Sequence, residues 1–219
     1  YEISDYDYIA GLKSFQDGMY QIQDISSMLA GEYTAPKAGD TIVDVCGAPG
    51  GKSINAALKM SEQGDCGRVI ARDLSDYKVA LIDENIKRLN ITNIQTQVYD
   101  ALDCDESLIN KADIVIADLP CSGLGIIGRK PDIKYNASPE KLQSLVDLQR
   151  DILKVVSRYV KSGGVLMYST CTINRAENED NADWICKESG FTKDGEYHQL
   201  LPANNSGMDG FFVARLIKN

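Results

Sequence analysis

The sequence predicts a doubly wound α/β domain with a mostly parallel sheet and an antiparallel C-terminal strand. Three observations predict it. Six short apolar runs punctuate the chain: TIVDV (41–45), RVIARD (68–73), IQTQVYD (94–100), ADIVIAD (112–118), GVLMYST (164–170) and FFVARLI (211–217). Several are nearly continuous in Val, Ile and Leu, as strands covered on both faces should be. Segments of helical spacing separate the first five runs, and strand–helix alternation implies parallel strands joined by right-handed crossovers. A glycine-rich turn follows the first run and opens a helix.

In chain order, residues 1–38 are Tyr-rich, helical over 22–29, and read as an N-terminal cap. The turn PKAGD (36–40) leads into the main domain, 39–219. A helix over 53–61 follows the glycine turn. The next helix, 77–89, places Val79, Ile82, Ile86 and Leu89 at three- and four-residue spacing. Ser138 opens another, with Pro139 at its first position and Glu140 in its first turn. It carries Leu142, Leu145, Leu148, Ile152, Val155 and Tyr159 on one side, and the SGG at 162–164 is expected to stop it. A shorter helix is expected over 176–187. The last run follows a polar loop with no intervening helix, so a terminal hairpin is expected there.

Composition sets bounds on function. The chain has 219 residues, 43% hydrophobic and 25% charged, ordinary for a globular domain. No apolar run approaches the ~20 residues needed to cross a bilayer, and the first residues carry no secretion signal. Six cysteines, none in CxxC spacing, and the single His198 offer no ligand set for a metal. Reduced thiols in a cytoplasmic protein are the reading of those cysteines. Nothing suggests an oligomeric seam, so a monomer is expected. The absence of an initiator Met suggests a piece of a longer protein. The net charge of −9 argues against a broad basic face for gripping phosphates. Local exceptions are Arg129, Lys130 and Lys134, beside Tyr135, in a loop suited to touching phosphates and stacking on a base.

The turn at 44–52, DVCGAPGGK, lets backbone approach a ligand at Gly47, Gly50 and Gly51. It lacks the GxGxxG of dinucleotide folds, and its first glycine is one residue too close to GKS for a phosphate loop. Asp44, Asp73, Asp100 and Asp118 end the first four strands, on the edge where doubly wound sheets bind ligands. That acidic ring suits a ligand with a ribose, an amine and a positive centre, as in S-adenosylmethionine. It would repel the pyrophosphate of NAD. Two cysteines, Cys121 and Cys171, follow the fourth and fifth strands on the same edge. A thiol becomes a strong nucleophile when a nearby cation lowers its pKa, and Lys52 is a candidate cation. Cys46 reads as packing under the turn, and Cys66, Cys104 and Cys186 as loop or helix-face residues. Position alone does not choose between Cys121 and Cys171.

These residues carry a resemblance. VCGAPGGKS (45–53), DLPC (118–121) and TC (170–171) resemble the RNA 5-methylcytosine methyltransferase family. The stretches QDIS (23–26), GIIGRKPDIKY (125–135) and DGFFVARLIK (209–218) are similar to its members that modify small-subunit ribosomal RNA. Gly47 stands where the family usually has alanine, and Thr172 where it usually has serine; neither removes a reacting group. The resemblance implies a Rossmann-like class I methyltransferase that transfers a methyl from S-adenosylmethionine to C5 of a cytosine. It implies that Cys171 attacks C6, that Cys121 assists product release, and that Asp118 stays close to the base. It assigns the cofactor to Cys46, Gly47, Ala48, Pro49, Gly50, Gly51, Lys52, Asp73, Asp100 and Asp118. It also implies an N-terminal RNA-binding helical domain and a linking subdomain, of which this chain retains at most the end. Competing readings are a same-fold methyltransferase acting on tRNA, DNA or protein, an inactive RNA-binding scaffold, and a nucleotide-dependent oxidoreductase.

Overall fold

The computed structural model describes residues 3, 5, 7–64, 67–202 and 208–219. Cys66 lies outside them. A 3-10 turn (Ile9–Gly11) and two helices, α1 (Lys13–Gln16) and α2 (Ile25–Thr34), lead into the sheet. There follow β1 (Thr41–Asp44), α3 (Gly51–Glu62), β2 (Arg68–Asp73), α4 (Asp76–Arg88), β3 (Ile94–Val98) and β4 (Ala112–Asp118). The second half holds α5 (Ile133–Asn136), α6 (Pro139–Val156), β5 (Val160–Thr170), α7 (Glu179–Ser189), β6 (Phe191–Lys193), β7 (His198–Leu200) and β8 (Phe211–Lys218).

The strand order is β3-β2-β1-β4-β5-β8-β6, with β7 also paired to β8. The pairings β1–β2, β1–β4, β2–β3 and β4–β5 are parallel; β8 is antiparallel to β5, β6 and β7. This is the doubly wound sheet with an antiparallel last strand that the apolar runs predict. Side chains alternate faces along a strand, so neighbours in each run enter opposite cores. Val43, Val115, Leu166 and Ala214 join Leu153 and Val156 of α6 and Ile185 of α7. Ile42, Ile114, Met167 and Val213 join Ala30 of α2 and Ala56, Ala57 and Met60 of α3. Both faces are covered, which is why the runs are continuous rather than alternating.

Helix starts follow their capping residues. Asp24, Ser75 and Ser138 accept from the backbone N–H groups of Ser26, Lys78 and Lys141 at the starts of α2, α4 and α6. Several sequence expectations are displaced. The first long helix runs over Ile25–Thr34 rather than 22–29. Helix α6 ends at Val156, and the glycines at 163–164 lie inside β5 instead of stopping it. Helix α7 begins at Glu179, not 176, because Glu177 and Asn178 are committed to tertiary hydrogen bonds. Strand β3 ends at Val98, so Asp100 sits two residues beyond it. The short strands β6 and β7 carry no apolar run long enough to announce them. No helix among the described residues is long and apolar enough to cross a membrane.

Candidate active site

Strand β1 delivers Asp44 to the sheet edge, and the chain turns sharply through 45–50 into α3. Gly47 N–H donates to Arg72 O at 2.7 Å, pinning the turn to β2. Gly50, at φ +105°, opens α3 in a conformation that side chains other than glycine's strain to adopt. A cleft of about 240 Å³ opens here, lined by Asp44, Gly47, Lys52 and Asp118 and by Gln23 and Ser27. Cys46, Ala48, Pro49 and Gly51 also face it. A side chain at Gly47 would press within 3.2 Å of the Asp44 carboxylate, so the glycine keeps that acid open to the cleft.

Asp44 is 1% exposed. Ser53 Oγ donates to its Oδ2 at 2.6 Å, while among the described residues its buried Oδ1 has no partner in hydrogen-bond geometry. Burial pushes its carboxyl up from 3.8 to about 6, against the opposing pull of the Ser53 hydrogen bond and Lys52. Burial, with Asp44 and Asp73 nearby, pushes the Cys46 thiol far above the ordinary range, so Cys46 is not the thiolate of this edge.

Two of the acids expected in the ring are engaged with loop backbone. Asp73 braces the turn, accepting from Ala48 N–H at 3.1 Å and Leu74 N–H at 2.8 Å and pairing with Lys78 at 3.0 Å. Asp100 accepts from Leu102 N–H at 2.9 Å. Gly50 acts through the backbone and does not line the cleft.

The two thiols meet. Cys121 follows β4 and Cys171 follows β5, and these strands are adjacent and parallel with Asp118 in register with Ser169. Their sulfurs lie 3.2 Å apart. Lys52 Nζ is 2.6 Å from Asp118 Oδ2, and Ser169 Oγ donates to Asp118 Oδ1 at 2.7 Å. The two cysteines are electrostatically unlike. The hydrogen bond Cys121 makes to Cys171, together with burial, holds the Cys121 thiol far above the ordinary range. The same bond pulls Cys171 below it; Lys52 adds to that pull, and burial and Asp118 oppose it. The edge therefore holds two thiols that share one hydrogen bond, an arrangement that favours loss of a single proton from the pair.

The basic loop is less free than its sequence suggests. Arg129 pairs with Asp24 and, at 3.1 Å, with Asp209, so two carboxylates already occupy the guanidinium expected to meet phosphate. Lys134 Nζ lies 4.8 Å from the ring centre of the exposed Tyr135. The loop is tied down at Gly125, whose N–H donates to Cys171 O at 3.1 Å and whose carbonyl accepts from Gly210 N–H at 2.8 Å. Gln23 opens the QDIS stretch, whereas Ser169 and Ser27 join the site without a motif to mark them. Ser169 becomes readable only once β4 and β5 are aligned. Among the described residues no group of three or more His, Cys, Asp or Glu side chains is arranged to hold a metal.

Residues 32–217 match the family described as 16S rRNA methyltransferase RsmB/F. The chain is 38% identical over 229 residues to the probable ribosomal RNA small subunit methyltransferase B of Bacillus subtilis, covering 96% of this chain and 50% of that protein. The protein described in the same words from Synechocystis is 34% identical, with the same coverage. The chain thus spans about half the length of the curated relatives it matches. The crystal structure of NSun6 from Pyrococcus horikoshii with SFG superposes with a TM-score of 0.85 at 28% identity, over 97% of this chain and 56% of that one. A methyltransferase homologue from the same organism, at TM-score 0.84, 24% identity and coverages of 98% and 73%, shares the fold. The architecture is that of the Rossmann-like class I methyltransferases. The chain belongs to the 16S rRNA methyltransferase RsmB/F family.

Proposed function

We propose that this chain is the catalytic part of an S-adenosylmethionine-dependent methyltransferase that acts in the cytoplasm on C5 of a cytosine in small-subunit ribosomal RNA. In this reading residues 39–219 form the methyltransferase domain and 1–38 the end of a linking subdomain. The observation that carries it is the contact of two thiols at 3.2 Å beside an acidic, glycine-lined cleft.

The cleft fits the cofactor. A buried carboxylate oxygen without a partner calls for a donor, and a ligand bearing an ammonium and a sulfonium supplies positive charge to Asp44 Oδ1. Family membership and the relative solved with SFG, an S-adenosylmethionine analogue, support the same choice. Cys46, Gly47, Ala48, Pro49, Gly51 and Lys52 would hold the cofactor directly, with Gly50 and Asp73 shaping the turn and Asp100 reaching it from the loop after β3. When bound, S-adenosylmethionine supplies an electrophilic methyl on sulfur.

The chain's own residues do the rest. The Cys171 sulfur bonds to C6 of the base and turns C5 into a carbon nucleophile, splitting one difficult step into easier ones. Asp118, fixed by Lys52 and Ser169, accepts from the exocyclic amine of the base and stabilises charge that develops during attack. Loss of the C5 proton then restores the C5–C6 double bond and expels the Cys171 thiolate, a release that Cys121 assists. Bisulfite sequencing of small-subunit ribosomal RNA from cells lacking the gene tests the reading. One cytosine should lose its methyl and regain it on complementation; an unchanged methylation map would sink it.

A further inference from the structure

Each thiol is flanked on both sides by residues held from a single buried dipeptide and its neighbour. Glu177 and Asn178 are both fully buried. Glu177 Oε2 accepts from Ser122 N–H at 2.9 Å and from Gln149 Nε2 at 3.0 Å; Oε1 accepts from Asn174 Nδ2 at 2.9 Å. The same Gln149 Nε2 donates to Pro120 O at 2.9 Å. The residues before and after Cys121 are therefore both fixed by the Glu177–Gln149 pair. Asn178 does the same for the other thiol: its Oδ1 accepts from Thr170 Oγ1 at 2.6 Å, and its Nδ2 donates to Thr172 O at 3.0 Å. Ser122 Oγ and Thr172 Oγ1, one residue beyond each cysteine, are hydrogen-bonded to each other at 2.7 Å.

The three donors to Glu177 are all neutral. The carboxyl group satisfies three donors that an apolar side chain of like volume would leave unpaired, so those bonds fix its place. Such a group is accounted for when its geometry does something packing would not. We propose that Glu177 and Asn178 are positioning residues, a clamp that joins the loop after β4 to the loop after β5 and sets the Cys121–Cys171 distance at which one thiol donates to the other. This rests on the reading of the two thiols as the reacting pair. It explains why the chain at 177–178 stays out of α7 although the sequence there is compatible with helix. The groups that face Cys171 are Cys121, Lys52 and Asp118, and of these the clamp fixes the position of Cys121.

Two readouts that need neither RNA nor cofactor test it. One is the rate at which diamide, taking up both thiol hydrogens, closes a Cys121–Cys171 disulfide, followed by peptide mass mapping. The other is the pH profile of Cys171 alkylation. Because misplacement by about 1 Å costs on the order of a hundredfold in reactions that depend on proximity, Glu177→Ala and Asn178→Ala should each slow closure by at least about tenfold. Both should move the Cys171 profile up toward an ordinary thiol. Glu177→Gln keeps an oxygen for Ser122 N–H and should recover most of the closure rate. If Glu177→Ala fails to fold, Asn178→Ala carries the same test through the other loop, and Glu177→Gln preserves shape and volume. Folded variants with wild-type closure rates and alkylation profiles would overturn the clamp. A Cys171→Ala chain that still methylates would overturn the reacting-pair reading instead, and neither thiol readout depends on that assay.

Discussion

Lys52 Nζ stands 2.6 Å from Asp118 Oδ2, in a place where only 11% of the lysine side chain meets solvent. The pair faces Cys171, and its two members act on that thiol in opposite senses. Replacing Lys52 with Met removes the cation and leaves Asp118 uncompensated beside the sulfur, so both changes push the Cys171 pKa up. Alkylation of Cys171 at pH 7.5 should slow. The loss of folding stability should be about 2 kcal/mol by urea titration, between exposed and fully buried ion pairs. An unchanged alkylation rate would remove Lys52 from the electrostatics of the thiol.

The two cysteines should fail differently. Cys171→Ala should abolish methyl transfer and all covalent adduct with 5-fluorocytosine RNA, because no sulfur remains to bond C6. Cys121→Ala should accumulate a stable protein–RNA adduct visible on a denaturing gel. The reverse pattern would exchange the roles of the thiols.

Asp44 should make ligand affinity pH-dependent. Its folded pKa, about 6, lies above its ordinary 3.8. Between those values the folded chain binds the proton that the unfolded chain has released, so this group's contribution to stability falls as pH rises from about 4 to about 6 and is level above. The shift corresponds to roughly 3 kcal/mol at about 1.4 kcal/mol per unit. Asp44→Asn should remove that slope and make the ligand-free chain about 1–3 kcal/mol more stable at pH 7.5. A cationic ligand needs the ionised acid. Calorimetry with S-adenosylmethionine should therefore show affinity falling about tenfold per pH unit below 6 in the wild type and little pH dependence in Asp44→Asn.

RNA binding by this chain alone should be weak. Net charge is −9, and Arg129 is already engaged by Asp24 and Asp209. If Lys130 and Lys134 supply the phosphate contacts, the slope of log affinity against log salt for a single strand should be near −1.4, about 0.7 per contact. A slope several times steeper, with tight binding, would require a basic surface that the described residues do not present.

How much of this was legible depends on the reach of each interaction. The sheet was readable because burial on both faces writes itself locally: Ile42 and Val43 must both be apolar since one enters each core. The glycine turn was readable for the same local reason, a backbone conformation at Gly50 that other residues strain to adopt. The contact of Cys121 with Cys171 needed only the order of strands. What was not legible depends on partners distant in the chain. Nothing near Arg129 reveals that Asp24, 105 residues away, and Asp209 neutralise it. Nothing near Glu177 announces the backbone of Ser122. Asp100 resembled a strand-end acid, but β3 gives way at Val98 and leaves it in the following loop. Helix α6 ended early for a similar reason: Tyr159, at helical spacing from Val155, is drawn out of register to donate its hydroxyl to Asp103 O and to accept from Asp105 N–H.

The crossing at Gly125 carries a mechanical consequence. A methyl group there would overlap the Gly210 carbonyl and come within 2.8 Å of Cys171 O. Three stretches of main chain thus mesh like gear teeth: the basic loop, the segment behind the reactive sulfur, and the approach to β8. The loop bearing Lys130 and Tyr135 is no free flap. A pull on it is geared to the Cys171 main chain through the Gly125–Cys171 hydrogen bond.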